Sequence, residues 1–289
     1  MPCGLATRIA QVGAALVLVV LSVARSERAI GGDLPNDFSQ AYAPAVARLR
    51  DFYTHVTVTG RLRRELPQTK KSVDQTFVYR AAGVQVRLNV TTVKSNGMKA
   101  KAGASDLFMA TRDGSLTTNR NPGSEVFDDA KQLNYGDTKT RIDSTCLLTY
   151  PYTFGSHTTI YDYLRQPTVT VLSVKKIKRD EELFVKVNFN DVTGRQDRST
   201  QWSSWFLLSP AEGWAVREFS RSSGQGDAAV TYRGSLTYDG DQNGIPLVSR
   251  ILSIKEQGPS HTCVERETVW LEKYTAGAPG PEFFTGFEF

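Results

Sequence analysis

The sequence predicts a mainly β chain with minor α (α+β): a strongly curved antiparallel sheet, a half-open β-barrel, wrapped around an N-terminal helix. Three observations carry that expectation. Residues 201–274 read as consecutive strands joined by turns too short for a parallel crossover, which needs a dozen residues or more. Apolar and polar residues alternate with period two along these strands and along earlier ones, which gives each strand one oily face. A single helical stripe, Ala45, Val46, Leu49, Phe52 and Tyr53, precedes the first strand and needs a sheet to cover.

At the start of the chain, Arg8 stands before an uncharged run from Ile9 to Val23, and Ser22-Val23-Ala24 places small residues where a signal peptidase inspects them. Residues 1–24 therefore read as a signal peptide, cleaved after Ala24 or, at Ala24-Arg25-Ser26, after Ser26. The apolar run falls short of the roughly 20 residues a spanning helix needs, so no transmembrane span is expected in the mature chain and its location is periplasmic or secreted. Residues 25–36, with Gly31, Gly32 and Pro35, read as a flexible leader.

Residues 37–274 are expected to form one half-barrel domain, its helix starting near Pro44. The strands begin with Val56, Val58 and Leu62, continue with Val73, Phe77 and Tyr79, and then with Val84, Val86, Leu88 and Val90. Leu107–Arg112 and Leu116–Asn119 suggest a hairpin about Asp113-Gly114. Ser156 is the expected N-cap of a short helix holding Ile160, Tyr163 and Leu164 and stopped by Pro167. Val169 to Ser173 and Leu183 to Phe189 resume the sheet, and the meander from Gln201 completes it, for about ten or eleven strands in all. Residues 275–289 form an aromatic tail expected to dock over an edge or the mouth of the sheet.

Composition narrows the function. With 40% hydrophobic and 22% charged residues the chain is neither disordered nor membrane-like. The formal charge of +5 is spread among acids, except for Lys175, Lys176, Lys178 and Arg179, which run into Asp180-Glu181-Glu182 as a solvated hairpin end does. No nucleic-acid partner is expected from such a distribution. His55, His157 and His261 share no metal-ligand spacing, and no catalytic or phosphate-binding motif is present, so neither a catalytic residue nor a cofactor is expected.

Asp239, Asp241 and Asn243 reproduce the start of a calcium loop, but Arg250 stands where the bidentate acid belongs, and a hairpin asks for the same residues. Cys146 and Cys263 are the cysteines left after export, and either a disulfide between them or two separate thiols fits an oxidising compartment. Trp205, Phe206, Trp214, Tyr232, Trp270 and Tyr152 are the candidates for an apolar ligand groove, the alternative being plain core.

Two phrases carry a family resemblance: Trp205-Phe206-Leu207-Leu208-Ser209-Pro210-Ala211-Glu212-Gly213-Trp214-Ala215-Val216-Arg217, and Gly244-Ile245-Pro246-Leu247. With the order of parts over residues 37–274, they resemble the bacterial outer-membrane lipoprotein carriers and receptors (Lol-type) and exported half-barrel proteins of unassigned role, including planctomycete ones. The resemblance implies an unclosed barrel around a helix, with a concave face that takes acyl chains in the true carriers. The chain is longer than a typical carrier and carries scattered Arg and Lys. The reading favoured is an exported, non-enzymatic protein that binds a lipid or lipoprotein acyl ligand, or an envelope protein partner, in its concave face. A structural module with a filled cavity and an enzyme of unrecognised type are the alternatives.

Overall fold

A computed structural model describes residues 34–83, 85–99, 105–110, 116–120, 151–153, 159–193 and 200–284. Residues 1–33, on which the signal-peptide and most of the leader readings fall, Cys146, Ser156, His157 and residues 285–289 lie outside the described residues. The elements run α1 (Asn36–Tyr53), β1 (His55–Leu66), β2 (Lys71–Ala82), β3 (Gln85–Ser95), the two-residue β4 (Met98–Lys99), β5 (Ser105–Ala110) and β6 (Leu116–Arg120). Then come α2 (Ile160–Leu164), β7 (Val169–Arg179), β8 (Glu182–Thr193), β9 (Thr200–Ser209), β10 (Ala215–Ser223), β11 (Val230–Gln242), β12 (Ile245–Gln257) and β13 (Thr262–Ala276).

All these strands join one antiparallel sheet in the order β6-β5-β3-β2-β1-β13-β12-β11-β10-β9-β8-β7, with β4 paired to β3. Among the described residues β6 and β7 do not meet, so the sheet is open. Its two halves are local meanders, and the β1–β13 ladder joins them at the middle.

Helix α1 starts at Asn36, well before the start near Pro44 that the sequence suggests. Proline inside a helix costs about 3 kcal/mol or more. Here Pro44 faces solvent, and the added turns bury Phe38 and Tyr42. Two rings of about 150–250 Å² each, at about 25 cal/mol per Å², more than offset that cost. The stripe Phe38, Tyr42, Val46, Leu49 and Tyr53 packs on one sheet face, called here the inner face, in one cluster with Val58, Tyr79, Leu88, Phe206, Leu236, Ile251 and Val269. Helix α2 is capped by Thr159, whose hydroxyl oxygen accepts from the Asp162 N–H at 3.1 Å.

Tyr53 ties the helix to β12 where the β12–β13 ladder has run out past the Arg250–Trp270 pair. Its hydroxyl donates to Pro246 O at 2.8 Å and accepts from Val248 N–H at 3.2 Å. The Tyr274 hydroxyl donates to Val248 O at 2.7 Å. These phenols take over backbone groups that the neighbouring strand no longer satisfies.

Two glycines sit inside strands and each lies under a phenylalanine ring. A Cβ on Gly60 would stand 2.7 Å from Phe77 Cζ and would also run into the Trp270 carbonyl oxygen. Gly234 lies in the same way beneath Phe219 and against the Leu252 carbonyl.

The basic run from Lys175 is the tip of the β7–β8 hairpin, as its charge pattern suggests. Asp180 and Glu181 form the turn with φ of 47° and 69°, and Lys178 pairs with Glu181. Cys263 is a free, half-buried thiol among the described residues, its S–H donating to Glu265 O at 3.6 Å; Cys146, its partner in the disulfide reading, lies outside them. No helix among the described residues is long and apolar enough to cross a membrane.

Candidate functional site: a graded inner face

The six aromatic residues singled out from the sequence do not share one wall. Trp205 and Phe206 are neighbours on β9 and so point to opposite faces. Phe206 is fully buried and stacks on Phe189, ring centroids 5.0 Å apart. Trp205 lies on the outer face under Lys186, whose Nζ is 4.4 Å from the ring centroid. Trp270 is also on the outer face, with the Arg61 guanidinium 5.7 Å from its ring.

Trp214, in the β9–β10 turn with φ of 66°, packs on Phe38 and Tyr42 at centroid distances of 5.8 and 5.9 Å. Tyr152 stacks on Tyr53 at 6.1 Å. Of the six, only Tyr232 keeps a half-buried ring on the inner face beyond the helix. The sequence offered the signal for this division: period-two parity separates Trp205 from Phe206, and pooling aromatics ignores it.

Strand register shows how the inner face is graded. Near α1 the registered row Leu62, Val269, Ile251 and Leu236 is wholly apolar. One step along the strands, Arg64, Glu267, Ser253, Gly234, Phe219 and Phe206 form a mixed row. One step further, Glu265, Lys255, Tyr232, Arg221 and Ser204 form a polar one. A face whose oily part carries the helix thus ends in a strip of aromatic and charged groups.

The strip has a rigid anchor. Asp191, 1% exposed, pairs with Arg221, itself 17% exposed. It also accepts from the Tyr163 hydroxyl at 2.8 Å and from Ser204 Oγ at 3.2 Å. Burial, and after it the bond to Asp191, pushes the Tyr163 phenol up and keeps it a donor. The Arg221 guanidinium lies 4.3 Å above the Trp202 ring, and Trp202 in turn meets Tyr232 at 6.0 Å. Lys255 Nζ stands 5.5 Å from the Tyr232 ring. Asp191, Ser204, Arg221 and Lys255 were not singled out from the sequence, although Asp191 continues the inward parity of Val187 and Phe189.

At the other side of the strip, desolvation pushes the Glu267 carboxyl up to about 8; Arg64 opposes this and Glu265 adds to it. The proton is thus held more tightly in the folded chain than at the ordinary value of 4.5. Between pH 4.5 and 8 the unfolded chain ionises at this position while the folded chain does not. The contribution to stability is therefore complete below that window and is lost as pH rises through it. Urea midpoints measured across the window are expected to fall by an amount equivalent to about 1–3 kcal/mol. Glu267→Gln should flatten that slope, and an unchanged slope would remove Glu267 as its source.

A cleft of about 410 Å³ opens where β12 and β13 part, lined by Asp239, Asp241, Leu247, Leu271, Glu272 and Tyr274. Asp239, Asp241 and Asn243 belong to the adjoining hairpin. Asn243 and Gly244 have φ of 55° and 72°, the signs a type I′ turn requires, and Asp241 Oδ1 accepts the Gly244 N–H at 3.0 Å. Among the described residues no three His, Cys, Asp or Glu side chains stand together as a metal site would need.

No family model matches the chain, and no curated protein does. Among solved structures it is similar to a chain in the complex of Pseudomonas aeruginosa MucA and MucB. Identity is 10%, with 82% of this chain and 99% of that one covered, at a TM-score of 0.23. A second structure, MucB in complex with the periplasmic part of MucA, gives 9% identity, coverage of 83% and 100%, and a TM-score of 0.18.

Proposed function

We propose that this chain is an exported, non-enzymatic binding protein of the envelope or the medium. In this reading the sheet curls around α1 as an unclosed half-barrel and holds a protein partner along the strip formed by Trp202, Arg221, Tyr232 and Lys255. One observation carries the choice of partner over lipid. The oily part of the inner face is already packed against the helix, while the strip beyond it is built of tryptophan, tyrosine and arginine, the side chains that dominate protein recognition. Trp202 and Arg221 are held in place by the Asp191 network, so little side-chain freedom is lost on binding. Glycines in strand interiors, as at Gly60 and Gly234, are where sheets bend, which supports the curl. An acyl-chain groove would need the tryptophans on one wall, and Trp205 and Trp270 lie on the outer face.

A photoreactive phenylalanine analogue at Tyr232, in cells that naturally make the protein, is expected to give one discrete protein adduct that Arg221→Ala and Lys255→Ala each remove. The same analogue at Thr237, on the outer face, should give none. The purified chain titrated with cis-parinaric acid should show no saturable signal. Saturable fatty-acid binding weakened by Trp202→Ala, with no adduct at Tyr232, would replace this reading with the lipid one.

A further inference from the structure

The chain leaves β13 through Gly277-Ala278-Pro279-Gly280 and returns to the sheet on its outer face. There Arg80 on β2 and Arg87 on β3 are registered partners, two like charges set directly opposite, which weakens a strand pair unless something intervenes. Phe283 intervenes. The Arg80 guanidinium carbon lies 4.6 Å from the centroid of its ring, and its carbonyl oxygen accepts from Arg87 Nη1 at 3.1 Å. Arg87 Nε donates to Asn89 Oδ1 at 3.1 Å, which sets the plane of the guanidinium from within the sheet.

Phe284 beside it is 5% exposed. Residues 281–283 make a single tight turn, closed by Phe283 N–H to Gly280 O at 3.1 Å and Phe284 N–H to Pro281 O at 2.9 Å. Burial and the neighbouring Arg87 lower the Arg80 pKa from its ordinary value, as expected of a guanidinium partly covered by a ring.

We propose that Arg80 and Arg87 form a recognition seat for a short segment of proline, acid and two phenylalanines. The chain's own residues 281–284 are its exchangeable occupant, and a partner segment of the same chemistry binds by displacing them. The seat is made of side chains from the interior of two regular strands, so it does not depend on the segment for its shape. The segment follows a linker of glycine, alanine and proline and lies beyond the last paired residue of β13, Ala276. Planar guanidinium groups that stack on a ring and bond a carbonyl read geometry as well as charge. The seat lies on the face opposite the strip above, so it stands or falls independently of that reading.

The test uses the full-length chain with Phe283→Ala and Phe284→Ala and a fluorescein-labelled peptide of residues 279–289, followed by polarisation. The variant is expected to bind the peptide at least about tenfold more tightly than the intact chain, whose tethered segment competes at high effective concentration. Adding Arg80→Ser and Arg87→Ser should abolish binding. Arg80→Lys with Arg87→Lys, which keeps both charges and removes the planar groups, should weaken it about as much. Should the double alanine variant lose its circular-dichroism signature, Phe283→Leu in the otherwise intact chain serves in its place, with the same direction expected. Equal binding by intact and variant chains, no binding by a folded variant, or binding that survives the serine or lysine pair overturns the proposal.

Discussion

Gly60→Val is expected to lower stability by roughly 3–5 kcal/mol, or to leave the chain unfolded. A side chain there meets both the Phe77 ring and the Trp270 backbone carbonyl across the β1–β13 ladder. A ring can swing aside, whereas a ladder carbonyl can move only if the ladder opens. Phe77→Leu added to Gly60→Val should therefore recover little of the loss, and urea denaturation of the single and double variants checks both values. Full recovery in the double variant would show that the ring alone caused the clash. Gly60→Ala should follow the same direction with a smaller loss.

The second large effect is expected at Asp191. Removing one member of a buried ion pair leaves the other charged and unpaired, and costs about 3–5 kcal/mol. Asp191→Ala strips the counter-charge from Arg221 and the acceptor from both Tyr163 and Ser204. Asp191→Asn keeps an acceptor oxygen and should lose less. Arg221→Met combined with Asp191→Ala should regain stability relative to Asp191→Ala alone, because no uncompensated charge then remains inside. A double variant less stable than the single one would sink this account of the network.

Much of the architecture was legible because period-two alternation is a local signal. Val56, Val58 and Leu62 lie inward on β1, as do Val86, Leu88 and Val90 on β3, at the positions that alternation assigned. Hairpins were legible where turn chemistry is unambiguous, as at Asn243-Gly244. The start of α1 was not, because proline's local cost argued for a start at Pro44, while the rings that outweigh it, Phe38 and Tyr42, find their partners in Trp214, far along the chain. The strip as a unit escaped for a related reason. Asp191, Trp202, Arg221 and Tyr232 stand on four different strands, and only register brings them side by side. Residue type alone pointed to Trp205 and Trp270, which alternation sends to the opposite face.

The ladder between β1 and β13 has a kinetic consequence. Its contacts join residues such as Arg61 and Glu272, 211 positions distant in the chain. Ribosomal synthesis delivers β1, β2 and β3 early, and these can zip as neighbours, but β1 then waits with one row of amides unmatched until the last strand emerges. The loop closure that ends this wait is long in entropic terms, and it sets the pace at which the two meanders become one sheet. The protein is thus most exposed to premature self-association in the interval before its final strand arrives, and a holdase that shields β1 would shorten that risk more than one acting on any other strand.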